Sequence, residues 1–327
     1  MDAQGTIAAS GDGRGRADEE LAIALASLDV DSPLRSGCVY VVSSPGKRFR
    51  GAMVETAAHF GVLPPGPRVQ RAAIAVELFH AATLAHDDVV DDGQLRRGMP
   101  SVGAQFGGLA ASLVGGWLFA RAVELVGSLG DEEARHFADA AAVVCEGEML
   151  ETRDLHDVDR SRERYLRAIE GKTARLIAFS AWLGARAGGA DREVADSLER
   201  YGEAVGMAFQ IADDILDLVG DPAQTGKLPG TDLRQGVFAL PTIYALEADP
   251  SLHERLIQGP EEHELPELVA RIEATGAIEA ALLDCREWIG RAQRALPAAA
   301  ATEVAHERDL LALATSVPAR VEEAIGA

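Results

Sequence analysis

The longest apolar stretch of the chain runs from Arg68 to Asp92 and carries hydrophobic residues on every side of a helix. Its apolar positions include Ala72, Ile74, Val76, Leu78, Phe79 and Leu84. A helix that is apolar on all sides belongs in a protein core rather than on a surface. The pattern therefore predicts a central buried helix over this stretch.

The rest of the chain divides into further helical segments, and no segment shows the alternation that is typical of a strand. Glycine and proline mark loops at 61–67, 93–106 and 220–236. One helix is predicted at 19–28, and a second is opened by residues 46–50 and runs to about 59. Further helices are predicted at 109–126, 132–153, 162–188, 194–219 and 240–247, and three or four acidic segments complete the chain. The predicted fold class is all-α, with a disordered tail at 1–17 and one domain of about ten or more helices at 18–327.

Two acidic clusters share the pattern D-D-x-x-D, and each ends a predicted helix. They are Asp87-Asp88-Val89-Val90-Asp91 and Asp213-Asp214-Ile215-Leu216-Asp217. The outer carboxylates of each cluster are four residues apart, so they share one helix face, where like charges repel. The partially negative helix C-terminus adds to this cost, which indicates a missing cation. Oxygen ligands favour Mg²⁺, which links carboxylates to substrate phosphates; a solvated acidic helix end is the alternative.

Composition limits the class of function. The chain has 327 residues, 47% of them hydrophobic, and a net charge of −21, which disfavours binding to a nucleic acid backbone. Its three scattered cysteines, Cys38, Cys145 and Cys285, indicate neither a disulfide framework nor a zinc site. We see no signal peptide, and the apolar run 106–120 is about fifteen residues, short of the ~20 that span a bilayer. We expect a soluble, cytoplasmic protein.

Six short motifs follow one another along the chain. They are Gly46-Lys47-Arg48-Phe49-Arg50; the first acidic cluster with Arg96-Arg97-Gly98; Gly147-Glu148; Lys172-Thr173; Phe209-Gln210 with the second acidic cluster; and Gly226-Lys227 with Gly230-Thr231-Asp232-Leu233. In this order they resemble the trans-isoprenyl diphosphate synthases, also called the polyprenyl synthetase family. The resemblance covers nearly the whole chain from about residue 46. It implies the isoprenoid synthase fold, an all-α bundle around a central cavity.

The resemblance also implies a reaction between isopentenyl diphosphate and an allylic diphosphate. The allylic C–O bond ionises, the second substrate's double bond attacks the carbocation, and a proton is lost. Metal ions with Arg and Lys neutralise the leaving diphosphate, and an apolar wall excludes water. The implied cofactor is Mg²⁺, about three ions with bound diphosphate. Members are commonly homodimers, and the apolar region 106–126 would suit such an interface, unless it is simply core.

The resemblance assigns roles to individual residues. The Mg²⁺ ligands would be Asp87, Asp91 and Asp213, supported by Asp88, Asp214 and Asp217. The allylic diphosphate would be held by Arg96, Lys172 and Lys227. Isopentenyl diphosphate would be held by Lys47, Arg50, His80 and Arg97. Thr173 and Gln210 would line the cation region, and proton removal is assigned to the released diphosphate rather than to a protein base.

Some of these residues have plainer interpretations. A lone core histidine such as His80 is more often a satisfied structural group, Lys172 could cap a helix, and the basic turn at 47–50 could be solvated. Four residues also depart from the family pattern. They are Gly116 in place of Asp, Gly51 in place of a frequent Pro, Glu151 in place of Gln or Asp, and Val237 in place of a frequent Lys. Glu151 could join the metal shell, and Val237 would leave one diphosphate contact missing.

Product length is expected to depend on the helix that precedes Asp87. Short-chain members place a bulky aromatic four or five residues before the first Asp, where this chain has Thr83 and Ala82. Candidates for a deeper floor are Phe79, which lies about 12 Å below Asp87 along the helix, and Trp117 or Phe119. We therefore expect a product longer than fifteen carbons, with geranylgeranyl diphosphate, at twenty carbons, as the alternative.

Two other functions are alternatives. A class I terpene cyclase shares the helical fold and one acidic cluster, but its second metal motif is normally an Asn/Ser/Glu pattern rather than the D-D-x-x-D seen here. A regulatory subunit of a heteromeric synthase usually lacks the aspartates that this chain keeps. Turnover of an allylic diphosphate alone would favour the cyclase, and activity of the purified chain alone would exclude a purely regulatory role.

Overall fold

The computed structural model describes residues 25, 28–29, 31–43, 48–90, 93–96, 99–221, 228–297 and 304–326. These residues are mostly helical, which confirms the predicted all-α fold class. The α-helices are α1 Pro33–Val42, α2 Phe49–Ala58, α3 Pro67–Val90, α4 Val102–Phe106, α5 Gly108–Gly127, α6 Asp131–Arg153, α7 Arg162–Ile169, α8 Arg175–Ala187, α9 Arg192–Val219, α10 Thr231–Arg234, α11 Leu240–Ala248, α12 Leu252–Ile257, α13 Leu265–Ala274, α14 Ala277–Ala295 and α15 Val304–Gly326.

The helix α3 is the buried helix that the hydrophobic pattern predicts. Pro67 stands at its start, where a missing N–H leaves no hydrogen bond unmade. Its buried positions lie on every side of the helix: Val69, Ala72, Ala73, Ile74, Ala75, Val76, Leu78, Phe79, Ala81, Ala82 and Ala85. The helix packs along α5 and ends at Val90, directly after the first two aspartates of the first cluster.

The segment predicted as a basic loop at 93–106 contains short regular elements. Two strands, β1 Leu95–Arg96 and β2 Met99–Pro100, pair antiparallel, and α4 follows them. Strands of two residues are too short to show alternation, so the hydrophobic pattern carries no signal for them. The prediction of an uninterrupted loop is therefore wrong in detail, although the fold class is unaffected.

The helix predicted at 162–188 is divided by a wider turn. After α7 a π-helical turn spans Glu170–Ala174, and α8 continues from it. A π-helical turn redirects the side chains of its own residues, and such turns are frequent at functional sites. Lys172 and Thr173, both assigned to the active site from the sequence, lie within it.

Contacts group the chain into two compact units, each drawn from separate segments. Unit one takes residues 1–139, 179–196 and 299–306, and unit two takes 140–178, 197–298 and 307–327. In unit one, α3 and α5 form the main contact; in unit two, α11 packs against α14. The first acidic cluster belongs to unit one and the second to unit two.

Among the described residues one helix, α5, is long and apolar enough to cross a membrane by length and composition. It exceeds the fifteen-residue run counted from the sequence because it continues through Arg121 and Glu124, whose side chains pair with each other. Core helices of soluble proteins pass the same test, so this finding does not identify a membrane span. About a third of its most apolar window is buried.

The three cysteines differ in burial. Cys38 and Cys285 are buried and Cys145 is exposed, and all three are free thiols. Burial raises the pKa of the Cys38 and Cys285 thiols to about 12, so both stay protonated.

Candidate active site

The first acidic cluster combines a half-buried and a buried carboxylate at the end of α3. Asp87 is half-buried, whereas Asp88 is buried and its Oδ2 accepts a hydrogen bond from the Val102 N–H at 2.9 Å. The Ser101 hydroxyl accepts from the Ala104 N–H at 3.0 Å, so both side chains satisfy the first turn of α4. Asp88 therefore fastens α4 to the end of α3. The third member, Asp91, lies outside the described residues.

Two adjacent glycines of α5, Gly115 and Gly116, differ in their surroundings. A Cβ atom on Gly115 would lie 2.4 Å from the His86 Nε2 atom, so the imidazole packs directly on the helix backbone. Gly116, which replaces the usual Asp, is exposed, and a Cβ there would meet nothing within 4 Å. Packing against His86 requires glycine at position 115, whereas Gly116 leaves the exposed surface of α5 without a side chain at that point.

The basic motif at 46–50 begins α2. Arg48 precedes the helix in the left-handed conformation, with φ of 46°, and Arg50 is half-buried in the first turn. The Gly51 N–H donates to Glu77 Oε1 at 2.8 Å, which ties α2 to α3. A proline, frequent here in long-chain members, has no such donor, so the departure at Gly51 has a physical reason. Lys47 and Arg97 lie outside the described residues, and Arg96 is described only through its place in β1.

The residues expected to set product length occupy different sides of α3. Thr83 is half-buried, as is His80, whose carbonyl accepts from the Thr83 hydroxyl at 2.8 Å. Ala82, by contrast, has only 1% of its surface exposed. Positions 79, 83 and 87 are spaced by four and share one face of the helix, whereas 82 does not. Of the two small residues, Thr83 lies in line with Asp87.

An aromatic cluster forms around Phe79 in unit one. Its ring centre lies 5.7 Å from that of Phe119 and 5.1 Å from that of Phe137, and the latter two are 5.8 Å apart. The structure thus brings together two of the three floor candidates and adds Phe137. Trp117, the third, instead has the Arg121 guanidinium 5.9 Å from its ring centre.

The second acidic cluster lies in the last turns of α9. Asp213 has 42% of its side chain exposed, and Arg320 Nη2 of α15 is 3.6 Å from its Oδ1. Asp217 Oδ2 accepts from the Asp232 N–H at 3.1 Å, and the Asp217 carbonyl accepts from the Gly230 N–H at 2.8 Å. Asp217 therefore braces the turn before α10, while Asp213 stays accessible. Lys227 lies outside the described residues.

Asp214, between these two, points into the protein. Its Oδ2 accepts from the Tyr165 hydroxyl at 2.5 Å, and its Oδ1 accepts from Gln210 Nε2 at 2.8 Å. The Thr173 hydroxyl donates to Gln210 Oε1 at 2.7 Å. Burial raises the pKa of Asp214, with the charge of Asp232 adding to the effect, and burial also keeps the Tyr165 hydroxyl protonated by raising its pKa. We call these four side chains, Tyr165, Asp214, Gln210 and Thr173, the buried relay.

Lys172 is held by carboxylates of α6. Its Nζ atom is 3.1 Å from Glu148 Oε1 and also contacts Glu151 Oε2. The side chain therefore forms ion pairs across to a neighbouring helix, which is not the helix cap considered from the sequence. Glu151, one of the departures, serves as a partner of Lys172 here, and its place in a metal shell remains a prediction.

Two glycines clamp the π-helical turn that carries Lys172 and Thr173. A Cβ atom on Gly147 would lie 2.2 Å from the Lys172 backbone nitrogen, and one on Gly206 would lie 2.5 Å from the Ala174 Cα atom. Backbone atoms at these distances leave no room for a methyl group. The motif Gly147-Glu148 thus has a double role, since Gly147 admits the turn and Glu148 pairs with its lysine.

Gly147→Ala is expected to lower both stability and activity, because the added methyl group must displace the π-helical turn. Overpacking of this kind costs about 1–3 kcal/mol, and the displaced Lys172 should weaken binding of the allylic diphosphate. Urea unfolding and the KM for the allylic diphosphate measure the two effects. Gly127→Ala in α5 is the matched control, since a Cβ atom there meets nothing within 4 Å. Equal unfolding free energies and equal KM values for the two variants would contradict the role of Gly147 in holding the π-helical turn.

The donor set fits Mg²⁺ rather than a softer metal. Within the described residues, no three His, Cys, Asp or Glu side chains are grouped so that they could hold a metal by themselves. A site of one or two carboxylates completed by phosphate oxygens is the usual protein site for Mg²⁺. Asp87 in unit one and Asp213 in unit two are each a partly exposed carboxylate of this kind.

Comparison with known proteins decides the family. The family model for polyprenyl synthetase matches residues 32–272. The chain belongs to the polyprenyl synthetase family. This confirms the resemblance drawn from the six motifs, and the polyprenyl synthetase fold is the all-α isoprenoid synthase fold.

Three proteins similar to this chain illustrate the match. It is 42% identical over 233 residues to nonaprenyl diphosphate synthase from Mycobacterium tuberculosis, with 70% of each chain covered. It is 40% identical over 250 residues to heptaprenyl diphosphate synthase component 2 from Geobacillus stearothermophilus, covering 76% of this chain and 78% of that one. The solved decaprenyl diphosphate synthase from Rhodobacter capsulatus superposes with a TM-score of 0.84 at 32% identity, covering 94% and 96% of the two chains.

Several residues of the candidate site have no signal in the sequence. Tyr165 and Arg320 stand 49 and 107 residues from the aspartates that they contact, and neither belongs to a motif. Glu77 was hidden inside the apolar run of α3. Asp232 was within a quoted motif, but its link to Asp217 through the backbone is visible only in three dimensions.

Proposed function

We propose that this chain is a Mg²⁺-dependent prenyltransferase that condenses isopentenyl diphosphate with an allylic diphosphate and releases an all-trans polyprenyl diphosphate longer than fifteen carbons. The observation that carries the proposal is the arrangement along α9. Asp213 is accessible to a cation, while its neighbour Asp214 turns inward and, through Gln210, fixes Thr173 beside the diphosphate-binding Lys172. The relatives named for hepta-, nona- and decaprenyl products support the longer product over geranylgeranyl diphosphate.

The residues divide into three roles. Asp87, Asp91 and Asp213, with support from Asp88, Asp214 and Asp217, would hold Mg²⁺, which would supply positive charge to the departing diphosphate. Lys172, released from its glutamates, adds a positive charge beside the same leaving group, as do Arg96 and Lys227. Lys47, Arg50, His80 and Arg97 bind isopentenyl diphosphate. Thr173 and Gln210 present oxygen atoms to the allylic cation, and apolar side chains of α3 exclude water.

A purified-enzyme assay tests the proposal. The chain alone is incubated with isopentenyl diphosphate and allylic primers of five to twenty carbons, with Mg²⁺ or with a chelator. We expect elongation that stops with the chelator and returns with Mg²⁺. Conversion of the allylic diphosphate without isopentenyl diphosphate would indicate a terpene cyclase, and inactivity without a second protein would indicate a subunit of a heteromeric enzyme.

A homodimer is part of the proposal, formed through the exposed face of α5. Apolar or small residues recur there at spacings of four and three, the pattern of a helix–helix interface. They are Leu109, Leu113, Gly116, Ala120 and Val123, all exposed. The Geobacillus relative is named as a component, so a second, different chain is the alternative partner for this face. We further propose a cytoplasmic location and one catalytic domain at 18–327 after the tail at 1–17.

Leu113→Asp is expected to convert the dimer into monomers, because it buries a charge in an apolar interface. Leu113 is 60% exposed in the isolated chain. Leu283→Asp on α14, at 62% exposure, is the matched control and should stay dimeric. Light scattering coupled to size exclusion gives the mass of each variant. A wild-type monomer, or a Leu113→Asp dimer, would exclude this interface.

A further inference from the structure

The buried relay in unit two contains a residue with no role so far, Tyr165. Its side chain is 1% exposed, and its hydroxyl donates to Asp214 Oδ2 at 2.5 Å. The Arg160 guanidinium lies over its ring, 5.3 Å from the ring centre. The hydrogen-bond partner of this hydroxyl within the described part of the chain, Asp214, belongs to the second acidic cluster.

The direction of the hydrogen bonds along the relay follows from this pair. The Tyr165 hydroxyl donates to Asp214 Oδ2 and so holds the carboxyl group with its Oδ1 atom facing Gln210. Asp214 Oδ1 is consequently an acceptor, so Gln210 must turn its amide nitrogen toward it, as observed at 2.8 Å. The Gln210 oxygen then faces Thr173 and accepts the threonine proton at 2.7 Å.

We infer that Tyr165 is a positioning residue for the condensation, acting through Asp214 and Gln210 to commit the Thr173 proton to Gln210. A hydroxyl whose proton is committed presents its oxygen lone pairs to the allylic cation. Without the Tyr165 hydroxyl, the Asp214 carboxyl loses the donor that fixes its orientation and can rotate away from Gln210. The Gln210 amide can then turn over, and the Thr173 proton points the other way. That orientation repels a cation. The inference rests on the proposed function, because it assumes that a carbocation forms beside Thr173.

Tyr165→Phe tests the inference, since it removes one oxygen atom and keeps the ring. We expect kcat to fall by about tenfold to a hundredfold, as oriented dipoles in active sites typically contribute on this scale or above. KM should stay within about twofold for both diphosphates, because Tyr165 contacts neither binding group. Steady-state kinetics with an allylic primer and isopentenyl diphosphate provide both constants.

Tyr201→Phe is the matched control within the same unit. Tyr201 is 0% exposed, and its hydroxyl donates to the Leu310 carbonyl at 2.7 Å, away from the relay. Each variant loses one buried hydrogen bond, so both should lower the Tm by a similar amount, about 2 °C. Only Tyr165→Phe should slow turnover.

A double-mutant cycle with Thr173→Val separates positioning from a structural effect. If Tyr165 acts through Thr173, the double variant should be no slower than Thr173→Val alone, whereas independent losses would multiply. Multiplying losses, Tyr165→Phe turnover equal to that of Tyr201→Phe, or unfolding of Tyr165→Phe alone would each overturn the inference. An inactive wild type would instead refute the proposed function.

Discussion

Asp213→Ala is expected to reduce turnover on the order of 10²- to 10³-fold while leaving the protein at least as stable as the wild type. The carboxylate is 42% exposed and lies one turn before Asp217 near the negative end of α9, so its removal relieves repulsion. Its ion pair with Arg320 is partly exposed, and such pairs contribute little to stability. On the proposed function the catalytic loss is large, because the Mg²⁺ that Asp213 would hold acts on charge that develops only in the transition state.

The measurement combines kcat at saturating substrates with urea unfolding. Glu247→Ala is the control, since Glu247 is an exposed carboxylate in the last turn of α11. It should change neither activity nor the free energy of unfolding by more than about 0.5 kcal/mol. Full activity of Asp213→Ala would remove the second cluster from the metal site.

The first cluster allows a sharper comparison, because its two described aspartates differ in burial. Asp87→Ala should behave like Asp213→Ala, with activity lost and stability kept. Asp88→Ala should in addition cost about 1–2 kcal/mol, since the Val102 N–H loses its partner at the start of α4. Equal unfolding free energies for Asp87→Ala and Asp88→Ala would show that the hydrogen bond from the Val102 N–H to Asp88 contributes nothing to stability.

The sequence predicts well whatever depends on periodicity or on chemistry concentrated within a few residues. The helix α3 is recognisable because its apolar residues continue for more than twenty positions, and both acidic clusters are recognisable because four-residue spacing defines a helix face. The helix α1 is missed because Val39, Val41 and Val42 are β-branched, a composition that favours strands. Tertiary contacts overrule that local preference.

Contacts between distant residues explain the remaining gaps. The partners of Asp214 and Gly51 are 49 and 26 residues away, and no local pattern marks either of them. The π-helical turn has the same origin, since it is stabilised by the close approach of Gly147 and Gly206 from two other helices. Because the sequence does not mark those neighbours, it predicts one continuous helix over 162–188.

Thr83→Phe is expected to shorten the product by several isoprene units, and Phe79→Ala to lengthen it. Thr83 and Phe79 lie about 6 Å and about 12 Å from Asp87 along α3, on the face that Asp87 shares. Thr83 is half-buried and small, so an aromatic ring there would block a chain growing along this face. Phe79 contacts Phe119 and Phe137, so its truncation would open space where the chain would otherwise stop.

Two variants isolate the effect of position from that of size. Ala82→Phe, expected from the sequence to shorten the product, places the same ring at a buried position off this face, where overpacking should cost about 1–3 kcal/mol. Phe60→Ala removes an equally buried ring outside the aromatic cluster and should destabilise without changing product length.

Mass spectrometry of the dephosphorylated products gives the number of isoprene units for each variant. The wild type should exceed fifteen carbons, Thr83→Phe should stop earlier, and Phe79→Ala should continue further. If Ala82→Phe shortens the product and Thr83→Phe does not, the chain grows along the other side of α3. If neither does, α3 is not the wall that sets product length, because an added ring must block any chain that passes it.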